Sequence, residues 1–357
     1  MHGAHAVDVL IVSLGSTAGL RAADAELADS LRRAGASVAL AACLPSPRRL
    51  RTLPLIDLSW ARAARRAALV ELSRRKPRAV IYSSTTAALF WPRRGAIRFD
   101  APSAGNRPGR HGLWQRPLER RRLRQAPLLL PWSEGALDEA PAAARVRARA
   151  LVLPVAVETS IPTVLPGGAE GGPLSGGPAR DIAAITYGAN PSKKGLDCVL
   201  VAWRRMQADR RSVGSEELVI AGASAEELQR AGLVRPGEEG IRVVGVLSPQ
   251  DYRALLRRAR VFVCAPRRED YGIAQLEALA DGCLLVTTRA PGPYAALPIA
   301  YELDPRLVGE DLQGALRTAL EDPPADYPAR ARRALTPFTR QAVDRLVAEE
   351  LLPRLLA

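Results

Sequence analysis

Apolar and polar positions alternate along the chain in blocks that switch between strand and helix periods. "VDVLIVSL" near the N-terminus is an almost unbroken apolar run, the pattern of a strand buried on both faces. "GSTAG" reads as a turn, and "LRAADAELADSLRRAG" repeats apolar residues at helical spacing before closing on Gly35. "SVALAAC" predicts a second strand. "DLSWARAARRAALVELSRRKP" predicts a helix opened by an Asp57 cap and ended before Pro77. "AVIYSS" and "AIRFD" predict strands, "PLERRRLRQA" a charged helix, "LLLPWS" a further apolar run, and "RALVLPVAV" closes this half. Alternation of this kind predicts an α/β fold with a parallel sheet covered by helices on both faces.

Residues 162–181, "PTVLPGGAEGGPLSGGPARD", carry Gly and Pro without periodicity and predict a linker or long surface loop. The alternation then restarts as "DIAAITYG", "GLDCVLVAWRRMQAD", "ELVIAGA", "SAEELQRAG", "IRVVGVL", "SPQDYRALLRRA", "VFVCAP" and, after one more helix, "CLLVTT". This is a second Rossmann-like unit, and from about Asp311 the chain reads as helical to its last residues, "AVDRLVAEELLPRLLA". The expected organisation is a first Rossmann-like domain over 1–160, a linker over 161–181, a second domain over 182–335 and a final helix over 336–357.

A length of 357 residues agrees with two domains, and 47% hydrophobic with 25% charged residues is ordinary for a globular chain with sizeable cores. No apolar run approaches the roughly 18–20 residues that span a membrane. The apolar N-terminal stretch lacks a basic leader, so Val7–Ser13 is expected to be a core strand and not a signal peptide. Cys43, Cys198, Cys264 and Cys283 show no CxxC pairing, which points to reduced core thiols in a cytoplasmic protein. Histidine occurs only at positions 2, 5 and 111, which argues against a His-rich metal site. The net charge of +14 is unevenly placed: residues 1–157 hold 26 basic against 11 acidic residues, and residues 158–357 hold 25 against 26. The excess is almost all arginine, and it suits an anionic partner for the first half.

The chemistry concentrates in "RREDYGIAQLEALADG", residues 267–282, where Glu269 and Glu277 flank a glycine at a strand-to-helix passage. Ligands in open α/β sheets bind beyond the carboxyl ends of the strands, and these residues follow the strand "VFVCAP". Gly272 permits close backbone approach. The helix start offers unpaired N–H groups to a diphosphate, and the Glu277 carboxylate can accept from a pair of sugar hydroxyls.

E-x7-E with an internal glycine and an alanine-rich helix behind it resembles the signature of the retaining GT-B glycosyltransferases of the group-1 family, family 4. The resemblance extends over most of the second half in order: "YGANPSKKGLDCVLVAW" resembles the family's lysine–glycine segment, and "ELVIAGA" and "IRVVGVLSPQDYRALLRRARVFVCAPRREDYG" resemble its following elements. In the first half it rests on "VSLGSTAG" and the alternating pattern alone. The resemblance implies two Rossmann-like domains facing across a cleft, with the last helix packing back on the first domain. It implies transfer of a sugar from a nucleotide-sugar to an acceptor hydroxyl with retention, the leaving phosphate helping to take the acceptor's proton, and no metal cofactor. Glu277 is then expected at the nucleotide ribose, Glu269 at the donor sugar and Lys194 at the diphosphate, where it stabilises the leaving group. Backbone around Gly272, Ile273 and Ala274 is expected to cap diphosphate and sugar, Val246 to meet the base, and Gly15 to approach the diphosphate from the first domain. The arginine that many members carry six residues before the lysine is Gly188 here, and Lys193, Arg267 or Arg268 stand as substitutes. Asp100, closing "AIRFD", resembles the acceptor-side histidine of relatives in its place, with His111 as the other candidate and turn capping as the alternative reading.

"WARAARRAALVELSRRK" and "ERRRLR" admit two readings, a solvated face or a patch for anionic headgroups. The second suits an acceptor that is lipid-linked or a cell-envelope glycan, and a cytoplasmic protein peripheral to the inner face of a membrane. Trp60, Trp91, Trp114 and Trp132 fit a core better than a base-stacking platform, and no nucleic-acid-reading motif occurs. Nucleotide-sugar epimerisation is the competing enzyme class on this fold, but its acid–base histidines are scarce here.

Overall fold

The computed structural model describes residues 5–43, 52–107, 109–158, 180–209 and 216–357. The linker expected over 161–181 lies outside them except for Arg180 and Asp181. The chain divides into two compact units, Met1–Ala156 with Pro337–Ala357, and Val157–Thr336.

The first unit is built on five parallel strands: β1 (His5–Ser13), β2 (Val38–Ala42), β3 (Arg75–Tyr82), β4 (Ala96–Phe99) and β5 (Leu129–Pro131), in the order β2-β1-β3-β4-β5. The inner strand β1 reads as a continuous apolar run because both of its faces are covered. Leu10 and Val12 join one core cluster, while Val9 and Ile11 join the other. The second cluster also takes in Val343, Val347 and Leu351, so the C-terminal segment returns to this unit. Ser30 and Arg33 fix it there through Asp344, at 2.6 and 2.7 Å.

The helix after β2 departs from expectation at both ends. It runs Leu53–Arg74, with Thr52 before it and Pro54 in its first turn. Asp57 lies inside it, buried, and does not cap it, because Arg107 takes its carboxylate at 2.7 and 3.0 Å. At the far end the chain enters β3 directly at Arg75 and carries Pro77 within the strand.

The second unit repeats the plan with β6 (Ile182–Tyr187), β7 (Leu218–Ala221), β8 (Ile241–Gly245), β9 (Ala259–Cys264) and β10 (Leu284–Thr287), in the order β10-β9-β6-β7-β8, all parallel. β6 is therefore central, with β9 beside it, and their carboxyl ends lie next to each other. All four cysteines are free, with Cys264 and Cys283 in the core. Cys198 is exposed, contrary to the core role expected of the thiols. It sits on the outer face of the Leu196–Asp209 helix, which turns Leu196, Val199, Leu200, Trp203 and Met206 inward. Trp91 and Trp132 are core residues of the first unit. Among the described residues no helix is long and apolar enough to cross a membrane.

Candidate functional site

At the end of β9 the chain turns through Ala265–Tyr271 to Gly272 and enters the Ile273–Ala280 helix. Gly272 adopts φ +94°, and a Cβ there would lie 2.7 Å from the Tyr294 ring. Only glycine meets both demands at this helix start. The loop after β6 reaches the same end: Pro191–Lys194 form one helical turn that closes on Gly195 at φ +61°. A Cβ at Gly195 would come 1.8 Å from the Ala265 carbonyl oxygen, and Arg267 N donates to the Lys193 carbonyl at 3.0 Å. Gly195 thus lets the two loops touch backbone to backbone.

That contact brings Lys194 to Glu269. Its Nζ lies 2.6 Å from Glu269 Oε2, and the residue carrying that carboxylate is only 5% exposed. Gln275 Nε2 donates to the same oxygen at 3.0 Å. Beside them Asp270 accepts from Lys193 Nζ and Arg268 Nε, each at 2.9 Å. Burial raises the Asp270 carboxyl, but the Lys193 ammonium and the Arg268 guanidinium outweigh it and hold it below the usual carboxylate range. Arg267 is paired with Asp197 at 2.7 Å. Of the three expected substitutes for the missing arginine, two are thus tied to Asp270 and one to Asp197. The position itself explains the departure: a Cβ on Gly188 would already stand 3.0 Å from Ile220 and 3.3 Å from Leu196.

Glu277 lies one turn into the helix and is half-buried. Its carboxylate takes no hydrogen bond or ion pair among the described residues. Burial pushes its carboxyl up to about 7 from the ordinary 4.5, against the pull of Arg253, which is itself engaged with Asp281 at 2.9 Å. Tyr187 and Tyr252 are its aromatic neighbours, edge to face at 5.5 Å, and the Tyr252 hydroxyl is buried without a hydrogen-bond partner among the described residues. A half-buried, protonatable carboxylate that the chain leaves unpaired is available to a ligand hydroxyl. Ile273 and Ala274 form the first turn behind Gly272, and Val246 stands exposed just past Gly245 at the end of β8.

Gly15 and Asp100 belong to the first unit. Gly15, at φ +58°, lies in the turn from β1 into the Ala18–Arg33 helix. Behind that turn is a buried polar cluster that sequence reasoning missed. Ser13 Oγ donates to Asp24 at 2.5 Å, and Arg98, 2% exposed, lies 3.5 Å from the other carboxylate oxygen and over the Trp132 ring. Burial raises the Asp24 carboxyl despite Arg98. Asp100 sits at the carboxyl end of β4 and accepts from Ala101 N at 2.8 Å, a turn-capping bond. His111 is exposed in the Gly109–Gly112 turn. Gln275, Asp270, Arg253 and Tyr252 were likewise not foreseen. Gln275 alone carried a hint, as the one amide inside the E-x7-E segment.

Residues 182–320 match the family model described as glycosyl transferases group 1. No curated protein matches the chain by sequence. Among solved structures, sucrose-phosphate synthase from Thermosynechococcus elongatus is similar at a TM-score of 0.65 and 14% identity, covering 95% of this chain and 96% of that one. An α,α-trehalose-phosphate synthase from Burkholderia xenovorans, solved with glucose-6-phosphate, gives 0.61 and 15%, covering 99% of each chain. HepE of Anabaena, solved with UDP and glucose, gives 0.57 and 11%, covering 97% and 99%. At such identities the likeness is one of fold, and that fold is GT-B.

Proposed function

From the group 1 glycosyl transferase domain at residues 182–320 and its GT-B frame, we propose that this glycosyltransferase moves a sugar from a nucleotide-sugar donor to an acceptor hydroxyl with retention of configuration. The observation that carries the reading is the pairing of Lys194 with Glu269 at 2.6 Å beside the start of the Ile273–Ala280 helix. One oxygen of Glu269 is occupied by that pair, leaving the carboxylate able to accept from a hydroxyl of the transferred sugar. As the bond from sugar to phosphate breaks, negative charge grows on the diphosphate. Lys194 and the helix N-terminal N–H groups around Gly272, Ile273 and Ala274 are the groups that answer it. Glu277, unpaired in the free chain, accepts from the ribose hydroxyls, and Val246 borders the base. In the first unit, Gly15 is assigned to the diphosphate and Asp100 to orienting the acceptor hydroxyl.

The acceptor we assign is lipid-linked or a cell-envelope glycan, reached at the cytoplasmic face of an anionic membrane. The Leu53–Arg74 helix supports this with exposed Leu55, Leu69 and Val70 beside exposed Arg62 and Arg66. Apolar side chains among arginines suit insertion at a charged interface.

The test is incubation with labelled nucleotide-sugars, beginning with UDP-glucose because the Anabaena neighbour was solved with UDP and glucose. Acceptor-stimulated nucleotide release with a glycosylated product is the expected result. Release without product, or none from any donor, overturns the reading.

A further inference from the structure

Glu269 has two partners on one oxygen, and they differ in what they can do when a donor binds. Lys194 is a flexible, 22% exposed side chain that the proposed function also assigns to the diphosphate. Gln275 is 1% exposed and stands in the first turn of the helix, so its amide cannot leave. If the ammonium turns toward phosphate, a carboxylate in a 5% exposed residue loses its cation. A buried carboxylate that loses its cation needs another donor to keep its place.

The orientation of the Gln275 amide is fixed by this chemistry. A carboxylate only accepts, so the nitrogen must face Glu269 Oε2, at 3.0 Å. The same nitrogen lies 3.6 Å from Cys264 Sγ, and that sulfur is in turn bonded to Thr287 at 3.3 Å. Thr287 Oγ1 and the Tyr294 hydroxyl are 3.2 Å apart, and the Tyr294 ring walls off Gly272. The other end of the amide, Oε1, is buried and has no hydrogen-bond partner among the described residues. An orphaned buried carbonyl is destabilising, and a core position would be better filled by an apolar side chain of the same size. Gln275 accepts that loss while donating to Glu269.

We propose that Gln275 is a positioning residue for the sugar-binding carboxylate, donating from Nε2 to Glu269 Oε2 so that Glu269 keeps its place when Lys194 turns to the leaving diphosphate. The role of Glu269 in this statement rests on the transferase reading; the contact itself does not.

Two measurements separate those layers. The first is NMR of the Gln275 side-chain amide in the free protein, assigned by its disappearance in Gln275→Met. The proton donated to Glu269 is expected downfield and slow to exchange, and it should move upfield in Glu269→Gln. An amide resonance that ignores Glu269→Gln overturns the proposal whether or not any donor is turned over. The second is a double-mutant cycle in the transfer assay. Gln275→Met is expected to lower kcat about tenfold while nucleotide affinity stays within about twofold, and to cause no further loss in Glu269→Gln. Losses that multiply in the double variant, or a Gln275→Met enzyme with parental kcat, overturn it. Should Gln275→Met fail to fold, Gln275→Asn keeps the amide but is one methylene too short to reach, and the same outcomes apply. If the amide shift behaves as expected and no donor is turned over, it is the transferase reading that fails.

Discussion

Replacing Glu277 by glutamine should make the protein more stable at alkaline pH while weakening nucleotide binding. In the folded chain burial pushes the Glu277 carboxyl up to about 7, against 4.5 for an ordinary glutamate. Between those values the folded chain holds a proton that the unfolded chain has released, so stability falls as pH rises through the window. Above pH 7 the loss is complete; below 4.5 both states are protonated and the penalty vanishes. At about 1.4 kcal/mol per pH unit the ceiling is roughly 3 kcal/mol, and the group's partial exposure lowers that to about 1–2 kcal/mol. Glu277→Gln has the same shape and no charge to bury. Its melting temperature should exceed the parent's by about 2–6 °C at pH 8 and match it near pH 4.5. The assay is thermal unfolding of both proteins across that range without ligand. An equal gain at both pH values, or no gain at pH 8, refutes the account of Glu277 as a desolvated, unpaired carboxylate. With nucleotide present the sign reverses, because glutamine offers one acceptor oxygen where the carboxylate offers two. Nucleotide affinity of the parent should also weaken as pH drops below about 7, and that of Glu277→Gln should not follow.

Three further outcomes follow from the same geometry. Glu269→Ala should lower kcat far more than free-nucleotide affinity, measured by turnover and nucleotide titration side by side; equal losses in both would remove the assignment to the sugar. Gly195→Ala should cost about 3 kcal/mol or more in urea unfolding, because the left-handed backbone disfavours a side chain and the new Cβ would meet the Ala265 carbonyl oxygen at 1.8 Å. A variant within about 1 kcal/mol of the parent would show that the two loops do not touch as described. The protein should sediment with phosphatidylglycerol vesicles at low salt and not with phosphatidylcholine, and Arg62→Ser with Arg66→Ser should weaken this; absence of any vesicle association removes the membrane contact.

The periodic features of the fold were legible because burial on both faces leaves its mark on every residue of a strand. "DIAAITYG" contains β6, and "VDVLIVSL" and "VFVCAP" overlap most of β1 and β9; all three are inner strands of their sheets. Helix ends were less legible, because they depend on partners far along the chain. Asp57 has the composition of a cap, and only Arg107, fifty residues on, draws it inside. In the site, spacing located Glu269, Glu277 and Gly272 on one strand-to-helix passage. It could not foresee that Lys193 and Arg268 would both be held by Asp270, since that depends on how the loop after β6 meets the loop after β9. The Ser13–Asp24–Arg98 cluster was invisible for the same reason: each residue is unremarkable alone, and its chemistry exists only where three elements meet.

The loop meeting also bears on the proposed diphosphate site, which lacks an arginine at position 188. Lys193, Lys194 and Arg268 converge on Glu269 and Asp270, so the cluster holds three cationic side chains against two carboxylates. The surplus charge is reinforced by the start of the Ile273–Ala280 helix, worth about half a positive charge. In the free chain each cation has a carboxylate partner, so none is left to repel its neighbours. Under the proposed function, a diphosphate would exchange partners with groups already in place, and less would have to be reorganised as charge develops. If Lys194 exchanges, Gln275 remains on Glu269. Lys193 shares Asp270 with Arg268, which can likewise hold that carboxylate alone. Each lysine is therefore backed by a second donor on its own carboxylate.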